Sequence, residues 1–190
     1  ENSIFNVLNP DYVDRRKLNV NEEFELMNKD NKGVGLLVEA FAVPGKIALW
    51  LEDESKGENF GSDDGDTIGL KITSKADDKS FYYIPACARM TNELSARLSG
   101  SEMVLFDGTL WENEEMASSK VGEKTGQRMG HMNNSGPDGS VEAFKKIDVK
   151  RKIFIHINTT NPILLGKSKE RNFVEENGWE VSYDGMEVIL

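Results

Sequence analysis

At residue 91 the hydrophobic pattern changes, and that change restricts the fold more than any other feature of the sequence. Before it lie short apolar runs separated by turns. Residues 34–43 and 46–52 are two such runs joined at Pro44-Gly45, a pair suited to the centre of a type II turn, which predicts a β-hairpin. An acidic, Gly-rich loop at 53–65 follows, then candidate strands at 66–72 and 80–84 around the polar turn 75–79, giving a meander of four strands. After the change, helices alternate with strands. Thr91 caps a helix over 91–98 that places Leu94 and Leu98 on one face and stops at Gly100. The strand Met103-Val104-Leu105-Phe106 then runs into Asp107-Gly108-Thr109. A polar, Gly-rich stretch at 118–139 leads to a helix over 140–146 and a strand over 152–157. A last helix over 169–177, stopped by Gly178, precedes a terminal hairpin of 179–183 and 186–190 around Asp184-Gly185. The class is therefore α/β, a meander first and α/β cycles after. No internal repeat and no Pro- or Ser-rich linker divides the 190 residues, so one domain is expected.

Strand ends carry sites in α/β folds, and two side chains able to ligate or move protons sit there: Asp107 after one strand and His156 at the close of another. A third, His131, lies in the loop phrase Arg128-Met129-Gly130-His131-Met132. One reading joins the three in a metal or acid/base site, because neutral imidazole ligates and a carboxylate can ligate or orient it. The other leaves His156 and His131 as hydrogen-bonded structural residues and Asp107 as an Asx turn. Composition narrows the chemistry. With two histidines and one cysteine, neither a His-x-His-x-Asp-His site, nor a cysteine cluster, nor an internal disulfide can be built from this chain. Cys87, with no basic neighbour, reads as buried rather than reactive. Asp64-Gly65-Asp66-Thr67 precedes its strand and reads as structural. Lys120, Lys124 and Arg128 form a small cationic group that either meets a carboxylate-bearing ligand or is a solvated loop. The net charge of −10 opposes a nucleic-acid surface. No apolar run long enough to span a bilayer and no leader is visible, so a cytoplasmic protein without membrane insertion is expected. The opening at Glu1, inside the apolar phrase Ile4-Phe5-Asn6-Val7-Leu8, reads as the start of a fragment.

Several longer phrases resemble the pyrroloquinoline quinone (PQQ) biosynthesis protein B family. They include Glu39-Ala40-Phe41-Ala42-Val43-Pro44-Gly45-Lys46, Tyr83-Ile84-Pro85-Ala86-Cys87-Ala88 and Phe106-Asp107-Gly108-Thr109-Leu110-Trp111. Lys124-Thr125-Gly126-Gln127-Arg128-Met129-Gly130-His131-Met132 and His156-Ile157-Asn158-Thr159-Thr160-Asn161-Pro162 are similar to it as well, and the match runs in order along the chain. The resemblance implies a metallo-β-lactamase-like αββα sandwich, incomplete at its N-terminus. In this reading residues 1–190 form a single domain, the C-terminal two-thirds of the family protein, lacking the part that bears its main metal-ligand loop.

The resemblance further implies His156 as a metal ligand. Asp107 and His131 match residues of the catalytic surroundings, and Arg128 and Lys124 would meet substrate. The superfamily's nucleases carry Gly-Asp-Thr after a strand where this chain has Pro85-Ala86-Cys87, which speaks against a two-metal site. The implied activity is a non-haem iron hydroxylase that uses Fe(II) and O2, with zinc able to occupy the site. Its substrate would be the tyrosine ring of a Glu–Tyr cross-linked, peptide-derived diamino acid, and its partners other PQQ biosynthesis proteins. Alternatives are a carrier of PQQ or its precursor toward the periplasm and, third, a metal-dependent hydrolase. Without the ligand loop, the piece alone is expected to be inactive.

Overall fold

Seven strands form one mixed sheet in the computed structural model, which describes residues 3–57 and 62–190. They are β1 (Glu23–Met27), β2 (Gly33–Ala42), β3 (Ile68–Ser74), β4 (Ser80–Ile84), β5 (Ser101–Asp107), β6 (Val149–Ile155) and β7 (Trp179–Val181), in spatial order β1 to β7. The first four pair antiparallel in a meander that holds three of the four expected strands, with β1 in place of 46–52, and β4 through β7 run parallel. The parallel pairs need crossovers, which α1 (Asn92–Leu98), the group α2 (Glu115–Ser118), α3 (Gly126–Met129) and α4 (Ser140–Ala143), and α5 (Lys169–Glu176) supply. Each helix start has a local cause where a hydroxyl is available. Thr91, Thr125 and Ser168 accept from the backbone N–H of Leu94, Arg128 and Arg171 respectively.

All three crossovers bury against one face of the sheet. Tyr82, Ile84, Val104, Phe106 and Phe154 alternate onto that face and meet Leu94 and Leu98 of α1, Val141 of α4 with Phe144 just after it, and Val174 of α5 in one core. Trp179 closes it, stacked on Phe154 at 3.9 Å between ring centroids. The opposite face carries Phe24, Leu26, Leu36 and Tyr83, which stay more than a third exposed. The sheet and helix layer correspond to two layers of the expected sandwich; a second sheet is not among the elements of the described residues. No helix among those residues is long and apolar enough to cross a membrane.

Two expected hairpins are not present. Residues 46–52 form no strand, because both edges of β2 are already taken, by β1 on one side and by β3 along residues 36–42 on the other. Lys46 N–H and Ile47 N–H donate instead to the hydroxyls of Thr67 (3.1 Å) and Ser62 (2.8 Å), and only a short 3-10 turn, Leu49–Leu51, follows. The place in the meander belongs to β1. At the other end β7 pairs parallel with β6, and the chain turns at Tyr183–Met186 without making a second strand. Its last carbonyls accept from side chains: that of Ile189 from Arg151 and that of Leu190 from Lys79. The polar, Gly-rich stretch 118–139 contains α3, and α2 ends at its first residue. Part of the acidic 53–65 loop lies outside the described residues.

Candidate metal centre

The carboxyl ends of β4, β5 and β6 lie side by side, and the residues just beyond them converge. Asp107 ends β5 with no exposure to solvent. Gly108 permits the convergence: a Cβ there would stand 3.0 Å from the Ile155 carbonyl oxygen and from Phe154 Cβ, and its N–H donates to that carbonyl at 2.8 Å. Ile155 is followed by His156, whose φ of 53° puts a non-glycine residue in the left-handed region. That conformation is uncommon outside glycine, and such positions gather at functional sites. His131 arrives from the helix side. Gly130, at φ 85°, ends α3, and the Met132 N–H donates to the Cys87 carbonyl at 2.7 Å, which ties the His131 loop to the end of β4.

The Asp107 carboxylate is fully engaged. Its Oδ2 accepts from the Cys87 N–H (2.9 Å) and lies 2.7 Å from His131 Nδ1. Its Oδ1 accepts from the Thr109 N–H (3.1 Å) and hydroxyl (2.5 Å). Burial acts to raise its pKa, but the hydrogen bonds with His131 and Thr109 and the nearby His156 imidazole together hold it below the usual carboxylate value. An ionised carboxylate only accepts, so His131 Nδ1 is the donor, and in the neutral imidazole this leaves the lone pair on Nε2. The His156 ring lies parallel to it, with centroids 5.3 Å apart and an interplanar angle of 19°. The Asp107 carboxylate raises the His156 pKa, with burial opposing. At 3.9 Å the two do not touch directly; the Thr109 hydroxyl stands between them, 2.8 Å from His156 Nδ1.

Both imidazoles line a pocket with Thr109, Met116, Met129, Ile157 and Asn158. One donor atom each from Asp107, His131 and His156 lies within 4.8 Å of the others, a spacing compatible with a metal ion. The donor set fits a metal in part: two imidazoles face the pocket, while a zinc-like ion needs about four ligands. The structure thus brings together the three residues singled out at the strand ends and in the loop. It does not place Arg128 or Lys124 among the pocket-lining residues. Arg128 Nη2 bonds Glu52 at 2.6 Å, and Lys46, which also pairs with Glu52, donates to the Arg128 carbonyl at 2.8 Å. Lys46 and Glu52 are about nine-tenths buried, so this group fastens residues 46–52 over α3.

Sequence reasoning missed the supports of the site. Asn161 Nδ2 donates to the Gly108 carbonyl and to Asn134 Oδ1, both at 2.8 Å, fixing the backbone beyond Asp107. Glu115 accepts from the Trp111 N–H (2.6 Å) and the Thr160 hydroxyl (2.5 Å), and so joins the loops after β5 and β6. The recoverable signal was the density of Asn and Thr in residues 158–161, since these side chains replace missing backbone partners in loops. Cys87 is buried as read, with burial first and the Asp107 carboxylate second pushing its thiol up to about 12. From an ordinary value near 9.0 this lowers the thiolate fraction about a thousandfold. Iodoacetamide at pH 8 should leave native Cys87 unmodified and alkylate it only in denaturant. Rapid labelling of the native protein, read by mass spectrometry, would contradict the assignment.

A family model described as Beta-lactamase superfamily domain matches residues 1–157. "Coenzyme PQQ synthesis protein B" of Rhodopseudomonas palustris is 48% identical over 189 residues, covering 100% of this chain and 61% of that protein. The protein of the same name from Bradyrhizobium diazoefficiens is 46% identical over 190 residues, with the same coverages. Among solved structures, Zn(2+)-bound PqqB from Methylobacterium extorquens superposes with a TM-score of 0.86 at 42% identity, over 100% of this chain and 60% of that one. The chain therefore spans about three-fifths of the length of the relatives it matches.

Proposed function

The chain belongs to the beta-lactamase superfamily and stands with the coenzyme PQQ synthesis B proteins, and on that premise we propose that it is part of an iron- and O2-dependent hydroxylase of PQQ biosynthesis. The observation that carries this reading is the pair of parallel imidazoles, His131 and His156, over an open pocket, with the fully bonded Asp107 behind them. The metal in the M. extorquens relative supports a metal here. His156 would be a ligand, and His131 would face the substrate beside it. Asp107 would orient them, since donors already occupy both its oxygens. The remaining ligands would come from the part of the family protein that this chain does not match. The substrate would be the Glu–Tyr cross-linked diamino acid, and the setting a reducing cytoplasm shared with other PQQ biosynthesis proteins.

Iron bound there would supply the O2 activation that the protein's own side chains lack. Ring hydroxylation consumes O2, two electrons from an external reductant and two protons. One oxygen atom replaces a ring hydrogen as hydroxyl, and the other leaves as water. A hydrolase of the two-metal kind is less well supported, because the loop that would bring a bridging carboxylate carries Ala86 and the buried Cys87. Lys124 and Arg128 would favour the substrate's carboxylates, the guanidinium through its planar fork of donors.

The test uses the full-length protein loaded anaerobically with Fe(II), the Glu–Tyr diamino acid, ascorbate and 18O2. A gain of one labelled oxygen per hydroxylated ring is expected. Return of the compound unchanged would favour a carrier, and cleavage a hydrolase.

A further inference from the structure

Thr109 has no role in the reading above, yet its hydroxyl makes more contacts within the site than any single imidazole nitrogen. Oγ1 lies 2.5 Å from Asp107 Oδ1, 2.8 Å from His156 Nδ1, 3.1 Å from His131 Nδ1 and 3.1 Å from the His156 carbonyl oxygen. A hydroxyl has one proton to give and two lone pairs with which to accept. The proton is claimed by Asp107: without a proton between them, a hydroxyl oxygen and a carboxylate oxygen at 2.5 Å would repel, and charge-assisted O–H···O bonds have this length. His131 Nδ1 already gives its proton to the other carboxylate oxygen at 2.7 Å. The hydroxyl is thus left as an acceptor toward His156 Nδ1. From this geometry we infer that Thr109 is a positioning residue that sets the tautomer of His156, with the proton on Nδ1 and the lone pair on Nε2.

The relay also fixes the ring's orientation. The left-handed backbone at His156 brings its carbonyl oxygen within 3.1 Å of the same hydroxyl, but the one hydroxyl proton goes to Asp107, so Thr109 holds the residue through the ring nitrogen. Threonine suits the place because it is buried and its χ1 is restricted by β-branching, which keeps Oγ1 between the two partners. A ligating histidine whose other nitrogen is held this way is favoured in the one tautomer that can bind metal. The inference rests on the proposed ligand role of His156 only for its consequence on metal affinity; the tautomer itself is independent of it.

The test is long-range 1H–15N NMR on metal-free full-length protein labelled with 15N-histidine, with His156 assigned by its absence from the His156→Gly variant. The wild-type protein should show His156 as the Nδ1–H tautomer. Thr109→Ser should keep it, and Thr109→Val should shift it toward Nε2–H while zinc affinity, read by chelator competition, falls roughly 10–100-fold. An Nε2–H tautomer in the wild type overturns the inference without recourse to any variant. A serine variant that behaves like valine also overturns it, by assigning the effect to packing of the methyl group. An Nδ1–H tautomer with no zinc binding in the wild type would leave the relay standing and remove the ligand role of His156.

Discussion

His156→Ala in the full-length protein is expected to lower zinc or Fe(II) affinity by more than about a hundredfold, beyond the loss that follows removal of a supporting hydrogen bond. The prediction needs a control, because position 156 is also a backbone problem. At φ 53° a side chain bearing Cβ is strained by roughly 1–2 kcal/mol relative to an ordinary conformation, and alanine inherits that strain. Glycine does not. His156→Gly should therefore lose metal as completely as His156→Ala while unfolding at the higher denaturant concentration of the two. A shared loss of metal at unequal stability assigns the effect to the missing imidazole rather than to a damaged fold. Metal content unchanged in both variants, measured by elemental analysis after anaerobic loading and gel filtration, would remove His156 from the ligand set.

The parts of this site that were legible in the sequence are those whose local context repeats their structural one. Asp107 and His156 follow apolar runs that could only be buried strands, so their place at strand ends could be read without knowing the neighbours. The capped helix at Thr91 and the stop at Gly178 were legible for the same reason. What could not be read depends on partners far along the chain. Arg128 looks like an available cation until Glu52, 76 residues away, is placed on it. Residues 46–52 look like a strand because apolar periodicity does not say whether a sheet edge is vacant, and β2 had none to offer. Thr109 follows Asp-Gly and reads as turn chemistry. Its function arises only when His156, 47 residues later, arrives within hydrogen-bond reach. In β1 the alternation of Glu23 and Glu25 with Phe24 and Leu26 was a usable signal that went unread.

Asp107→Asn should destabilise the metal-free protein by about 3 kcal/mol or more. The reason is a count of donors. Four of them point at the carboxylate, two on each oxygen, and two of the four are backbone N–H groups that cannot turn away: that of Cys87 on Oδ2 and that of Thr109 on Oδ1. Asparagine replaces one oxygen with an NH2, so whichever way the amide is turned it faces a backbone donor with another donor. The Thr109 hydroxyl can rotate and His131 can change tautomer, but the buried N–H left without an acceptor keeps its desolvation cost. The His131 tautomer that leaves Nε2 unprotonated is lost or weakened with it whenever the NH2 takes the Oδ2 place. The pH dependence supplies the second half of the test. Since the folded protein holds the Asp107 carboxyl below its ordinary value, its contribution is fully present above the unfolded pKa and is lost as pH falls through the folded one. Urea unfolding should therefore show a wide gap between wild type and Asp107→Asn near neutrality that narrows below about pH 4. A gap that is small at pH 7, or one that stays constant into the acid range, would mean that the carboxylate's charge is not what those four donors require.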